Sequence, residues 1–346
     1  MHNIFNKIKF NNFSIYRYGH IFYGLSILLI SAVMIFSFNS KFFNSVINQK
    51  NIAKKFKVTE DALVEFEVSN FKDTNELEIK TGKYNLSTND LKRIFEKHSY
   101  SMNIIRERKQ VPDITINKFP DDFSQINSTK LKKSLFIKAL LPLIIKENNK
   151  IQNDRNKIAT INSGKFKYIN RSEAMWLKNQ FIRYRVSSHN TDDLLLKVDE
   201  IPVSIALAQA AIESGWGTSR FVNEGNALFG QWSWNKGSGI VPTDRNLEET
   251  YEIKSFDNLS DSVESYMKNL NTNVNYKDFR RSRNEFKQNK SDIDSISLLK
   301  FLSKYAQNEN YPKILEEIIV KNNFKDFDDT TLYIAPYEVV NLITIQ

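Results

Sequence analysis

The sequence contains no cysteine, which excludes disulfides, thiolate metal sites and a cysteine nucleophile, and is compatible with an oxidising compartment. Histidine is nearly as scarce. His2, His20, His98 and His189 stand far apart, nothing resembles HExxH or another metal constellation, and neither a catalytic metal nor a cofactor is expected. Glycine and proline are sparse as well, at ten and seven residues in 346. That scarcity gives weight to one stretch, Ile201–Gly239, which holds six of the ten glycines and three of the four tryptophans. The rest of the chain reads as built to present it.

Charge of one sign is in short supply too: 49 Lys and Arg face 40 Asp and Glu, a formal net charge of +9. Such an excess favours polyanionic partners, whether nucleic acid, anionic lipid or acidic wall polymer. No nucleic-acid-binding motif with the required spacing is present, so no nucleic-acid partner is expected. Long hydrophobic runs are limited to Ile21–Phe38, 18 uncharged residues, just long enough for a membrane-spanning helix. No small-residue cleavage pattern follows it, which favours an uncleaved signal anchor. Lys7, Lys9 and Arg17 precede the run and Lys41 follows, so the charge bias gives only a weak orientation.

Within the glycine-rich stretch, Val203, Ala206, Leu207, Ala210 and Ala211 recur at helical spacing behind Pro202, and Gly215 and Gly217 end the helix. Glu213 therefore falls in the last turn. The negative end of the helix dipole and the apolar neighbours Ile212 and Trp216 both push its carboxyl upward. Two readings stand side by side: a solvated helix-end residue, or a carboxylic acid kept protonated to donate to a glycosidic oxygen. Trp216, Phe229, Trp232 and Trp234 suit a groove that stacks on sugar rings, and equally suit a core.

AQAAIESGWGTSRFVNEGNALFGQW (residues 208–232) resembles the core motif of the Bax-type bacterial glucosaminidases, glycoside hydrolase family 73. The likeness continues through GSGIVPTDRN, YEIKSFDNLSDSVESYMKNLNTNVNYKDFRRSRNEF and LLKFLSKYAQNENYPKILEEIIVKNNF, covering about 168–328. It implies cleavage of peptidoglycan glycan strands at the β-1,4 bond on the reducing side of N-acetylglucosamine, with Glu213 as general acid. It also implies substrate contacts from Trp216, Phe229, Gln231, Trp232, Tyr266 and Asn269. Tyr305 and Tyr311 stand where flagellar and staphylococcal relatives carry YATDPxY. The sequence departs from that motif between the two tyrosines, so Tyr305 is taken as the supporting residue and Tyr311 as packing.

A glycosidase generally needs a second carboxylate. Glu248, Glu249 and Glu252 lie in a segment read as a short β-hairpin beside the cleft; Glu252 is favoured, and assistance by the substrate's own N-acetyl group stays open. The expected fold is mainly α, a lysozyme-like α+β catalytic domain with a small β-hairpin lobe, preceded by one transmembrane helix. The expected organisation is a cytoplasmic tail at 1–20, the anchor at 21–38, a membrane-proximal region at 39–128, a helical segment at 129–167 packing on the catalytic domain, that domain at 168–328, and a tail at 329–346. Such a protein would sit in the bacterial inner membrane with its catalytic domain in the periplasm or outside the cell. A muramidase or lytic transglycosylase, and a non-catalytic wall-binding protein, are the alternatives.

Overall fold

The computed structural model describes residues 86–163, 170–243, 245 and 248–333. The expected anchor Ile21–Phe38 and most of the expected membrane-proximal region lie outside them; among the described residues no helix is long and apolar enough to cross a membrane. Ser87 starts the first helix, α1 (Thr88–Lys97), through a capping box with Asp90, as a Ser three residues before an acid leads one to expect. Helix α2 (Met102–Arg108) and strand β1 (Gln110–Pro112) follow.

Helix α3 (Thr129–Asn162) is 34 residues long and runs through Pro142. The sequence predicts a stripe interrupted at that proline; instead every residue from Leu135 to Ile145 is buried. An internal proline costs about 3 kcal/mol, and burial of one Leu or Ile contributes about 1.5–3 kcal/mol, so Leu140, Leu141, Leu143 and Ile144 outweigh it. The helix is enclosed because α1, β1, the later strand Thr331–Tyr333 and three later helices all pack on it. Lys138, in mid-run, places its amine 4.8 Å from the Phe95 ring centre, and burial lowers its pKa to about 8.

Helices α4 (Arg171–Arg183), α5 (Thr191–Lys197), α6 (Val203–Glu213) and α7 (Arg220–Gly225) lead to the glycine-rich turns. Helix α6 is nearly all small and apolar and buried from Val203 to Ala211. Pro202 gives its N-terminus no side-chain cap. The carboxylate of Asp328 serves instead, accepting from the Ser204 amide and hydroxyl, both at 2.8 Å, where the helix dipole favours an anion. The loop before α6 is fastened at Asp199, buried among Arg155, Arg283 and Lys287.

The segment read as one hairpin is a three-stranded antiparallel sheet, β2 (Trp232–Ser233), β3 (Gly239–Ile240) and β4 (Glu252–Lys254), with β4 in the middle. Gly239 is required there, since a Cβ would lie 2.1 Å from the Ile253 carbonyl oxygen. Helices α8 (Leu259–Thr272), α9 (Lys277–Gln288), α10 (Ser295–Leu298) and α11 (Tyr311–Lys321) complete the body. Strand β5 (Thr331–Tyr333) returns to pair in parallel with β1.

The stretch expected as an extended connector, 111–127, is more than a spacer. Ile114, Ile116, Phe119 and Phe123 join the same core as Leu91, the α3 run and Phe327, so that core reaches well upstream of residue 168. Phe119 stacks on Phe136 at 5.9 Å, and these rings with Phe123 crowd Gly217, whose absent Cβ would sit 3.1–3.3 Å from them.

Candidate active site

Gly215, Trp216 and Gly217 all have positive φ, at 57°, 61° and 81°, so the chain turns sharply as soon as α6 ends. A left-handed tryptophan is unfavourable on its own. Its ring is held against Phe136 and Phe324, with the Lys133 amine 4.3 Å from the ring centre. Trp216 therefore secures the turn from the core side, its ring half-buried.

That turn leaves Glu213 half-buried at the helix end. Burial raises its carboxyl, and a 2.7 Å hydrogen bond donated to Oε1 by the Tyr311 hydroxyl partly offsets the rise. No lysine or arginine among the described residues contributes. Oε2 lies against Gly230, where a Cβ would stand 3.2 Å away and φ is +58°. Glu213 can thus hold a proton at higher pH than an ordinary carboxylate, in the direction foreseen from the sequence.

The two tyrosines exchange the parts expected of them. Tyr311, taken as packing, is the one bonded to Glu213; it also accepts from Gln209 Nε2 at 3.1 Å. Tyr305, taken as the supporting residue, donates to the Phe229 carbonyl at 3.0 Å and lies parallel to Tyr311 at 5.8 Å. The physical reason is local: a new helix starts at Tyr311 with Pro312 in its first turn, which aims that side chain at α6.

Phe229 and Tyr266 stack at 3.9 Å, and both are fully buried. They build the wall behind the acid and do not present a face to a sugar. Tyr266 donates to Gln209 Oε1 at 2.7 Å. Asn269 is half-buried and engaged with Tyr276 and Asn273. Gln231 donates to the Ser265 carbonyl at 3.3 Å, while its Oε1 is buried without a hydrogen-bond partner among the described residues.

Trp232 is the expected contact that does stand open, 51% exposed. It stacks on Tyr251 at 4.4 Å and meets Trp234, 67% exposed, edge to face at 6.1 Å. Tyr251 has no marker in sequence beyond its alternation with Ile253. Gln209 could have been found, because four residues before Glu213 it shares that helix face.

Glu252, favoured as the second acid, is buried, and each of its oxygens accepts a backbone amide at 2.9 Å, from Gly237 and from Gly239. The Gly237 bond, with those of Gly239 and Ser238 and the charge of Arg245, holds its carboxyl below the usual value despite some burial. Both of its oxygens fasten the sheet's loop, so the structure does not present Glu252 as an unengaged carboxylate. Glu248 and Glu249 are exposed. Among the described residues no group of three or more His, Asp or Glu could hold a metal.

Residues 193–324 match the family model described as mannosyl-glycoprotein endo-beta-N-acetylglucosaminidase. The chain is 29% identical to Protein bax of Escherichia coli (strain K12) over 221 residues, 62% of this chain and 74% of that protein. The crystal structure of the catalytic domain of the autolysin Auto from Listeria monocytogenes also matches, at 15% identity and a TM-score of 0.26, over 49% of this chain and 95% of that one. The family match begins at α5, spans the α6 acid, its tyrosine partner and the aromatic sheet, and ends at Phe324. Residues 193–324 thus match the glucosaminidase family model, and the chain is similar to Protein bax.

Proposed function

We propose that the protein is a peptidoglycan hydrolase, an endo-β-N-acetylglucosaminidase that cuts the β-1,4 bond on the reducing side of N-acetylglucosamine, with Glu213 as general acid. The observation that carries the reading is the environment of Glu213: a carboxyl raised by burial, with no lysine or arginine among the described residues contributing and one oxygen fixed by Tyr311. A group so held keeps its proton to higher pH than an ordinary carboxylate and can donate it to a leaving oxygen. Tyr311 then steadies the negative charge that develops on Glu213. The exposed pair Trp232 and Tyr251 offers a flat surface for a sugar ring. The helical body with its side sheet is read as a lysozyme-like frame, and Ile21–Phe38 as the anchor that holds it at the inner membrane, facing the wall.

The second function in hydrolysis falls to Glu248, to Glu249 or to the substrate's acetamido group, because Glu252 is engaged with backbone amides. Digestion of purified peptidoglycan by the protein and by Glu213→Gln, followed by borohydride reduction and mass analysis, tests the reading. Reduced N-acetylglucosamine ends from the first and none from the second are expected. Reduced or anhydro muramic ends would move the protein to the muramidases or lytic transglycosylases, and binding by both forms without cleavage would make it a wall-binding protein.

A further inference from the structure

Behind Glu213 runs a buried chain of hydrogen bonds. Tyr266 on α8 donates to Gln209 Oε1 at 2.7 Å, Gln209 Nε2 donates to the Tyr311 hydroxyl at 3.1 Å, and Tyr311 donates to Glu213 Oε1 at 2.7 Å. Gln209 and Tyr266 are fully buried and Tyr311 is nearly so. The chain has a direction. Tyr266 brings one hydrogen and, among the described residues, finds its recorded acceptor only in Gln209. An amide is polar end to end: once Oε1 accepts from Tyr266, Nε2 must face Tyr311 as a donor. Tyr311 then has one lone pair engaged by Gln209 and its single hydrogen left for Glu213.

Reversal would need Glu213 protonated on Oε1 and donating to Tyr311, Tyr311 donating to Gln209, and the amide turned over to donate to Tyr266. The Tyr266 hydrogen would then be buried without an acceptor, which folded proteins avoid. We propose that Gln209 and Tyr266 are positioning residues that fix the direction of this chain, so that Oε1 of Glu213 is always an acceptor and the transferable proton resides on Oε2, the oxygen against Gly230. This rests on Glu213 being the acid, and it adds which oxygen delivers the proton and what assigns it.

The titratable groups facing Glu213 are Tyr266 on α8, Tyr276 in the turn after it, and Tyr305 and Tyr311 before and at α11. All four are raised by burial and stay protonated through the working range, so only Glu213 titrates. Tyr266→Phe keeps the ring stacked on Phe229 and deletes the terminal hydrogen; Gln209→Met removes the amide at similar volume. Either change frees the direction and admits the form protonated on Oε1.

The experiment measures kcat and KM against pH on peptidoglycan for the protein and both variants, alongside a carbon-13 NMR titration of the Glu213 carboxyl. In a variant that keeps the wild-type circular dichroism, the alkaline limb and the carboxyl titration are expected to move together to higher pH. The kcat should fall about tenfold, a fraction of what general acid catalysis supplies, with KM unchanged. Unaltered titration and pH profile in folded Tyr266→Phe and Gln209→Met would overturn the proposal, as would a lower kcat with the profile fixed. If the unaltered protein cuts no glycan, the glycosidase reading fails, and the NMR titration alone still decides whether the chain governs the Glu213 proton.

Discussion

Tyr311→Phe removes one hydroxyl and keeps the ring that lies parallel to Tyr305. Two bonds are lost, the 3.1 Å one accepted from Gln209 Nε2 and the 2.7 Å one donated to Oε1 of Glu213; the second acts on the acid, and hydrogen bonds to charged groups contribute about 1.5–3 kcal/mol net. This bond favours the ionised carboxylate and opposes the burial that raises Glu213. Without it burial acts alone, and at roughly 1.4 kcal/mol per decade the proton affinity of Glu213 rises about 10- to 100-fold. The acid acts in its protonated form, so the alkaline limb of kcat/KM moves to higher pH. The same bond strengthens as charge develops on Glu213 during proton donation. If about half of its strength is felt in the transition state, kcat falls roughly 4- to 12-fold. The assay is the pH dependence of glycan cleavage, with circular dichroism and the urea midpoint as controls for folding. An alkaline limb that stays in place or moves to lower pH in a folded variant would refute the reasoning.

Glu213→Gln should reduce kcat by about 10²- to 10⁴-fold, the usual contribution of a general acid. Its stability should also respond differently to pH: the folded carboxyl lies above its ordinary 4.5, so wild-type stability is complete below that value and declines as pH rises through the folded value. The glutamine variant lacks that decline, and urea midpoints followed from below pH 4.5 upward check it. Trp232→Ala deletes an exposed stacking face, should raise KM several-fold at about 0.5–1.5 kcal/mol, and should leave the urea midpoint unchanged. Asp199→Asn takes the carboxylate from Arg283, Arg155 and Lys287 and should destabilise the protein by about 3–5 kcal/mol. Burial alone would raise Asp199, but its three cations hold it below 3.8. Its contribution is therefore present above that pH and lost as pH falls through the folded value, visible as acid unfolding in the native protein that the variant lacks.

The parts of this site that could be read from sequence are those written in local chemistry. The apolar spacing of α6, the glycines that stop it and the carboxylate in its last turn are neighbours in the chain, and the structure keeps them as read. The capped helix at Thr88 was legible for the same reason. The roles of Tyr305 and Tyr311 were not, because five residues of irregular backbone separate them and only the start of α11 determines which one points at α6. Glu252 misled because an acidic residue in an alternating segment looks the same whether its oxygens face solvent or two glycine amides of the facing loop. The continuous burial of α3 also escaped periodicity: a helix covered on every side has no stripe, and Lys138 within it gives a false polar mark.

The pairing of β1 with β5 joins residues roughly 220 positions apart. The entropy of closing so long a loop grows only logarithmically, about 0.6 kcal/mol for each doubling, so length hardly weakens the finished molecule. It does set a schedule for biosynthesis. A ribosome makes α1, α2 and the phenylalanines of 119–136 early, yet the strand that closes over them and the Asp328 carboxylate that caps α6 are among the last described residues to emerge. Until then apolar side chains of the first third have no cover from the last. A nascent chain stalled short of residue 328 would hold Glu213 on an uncapped helix, so α6 gains its cap only after the last described α-helix has been made.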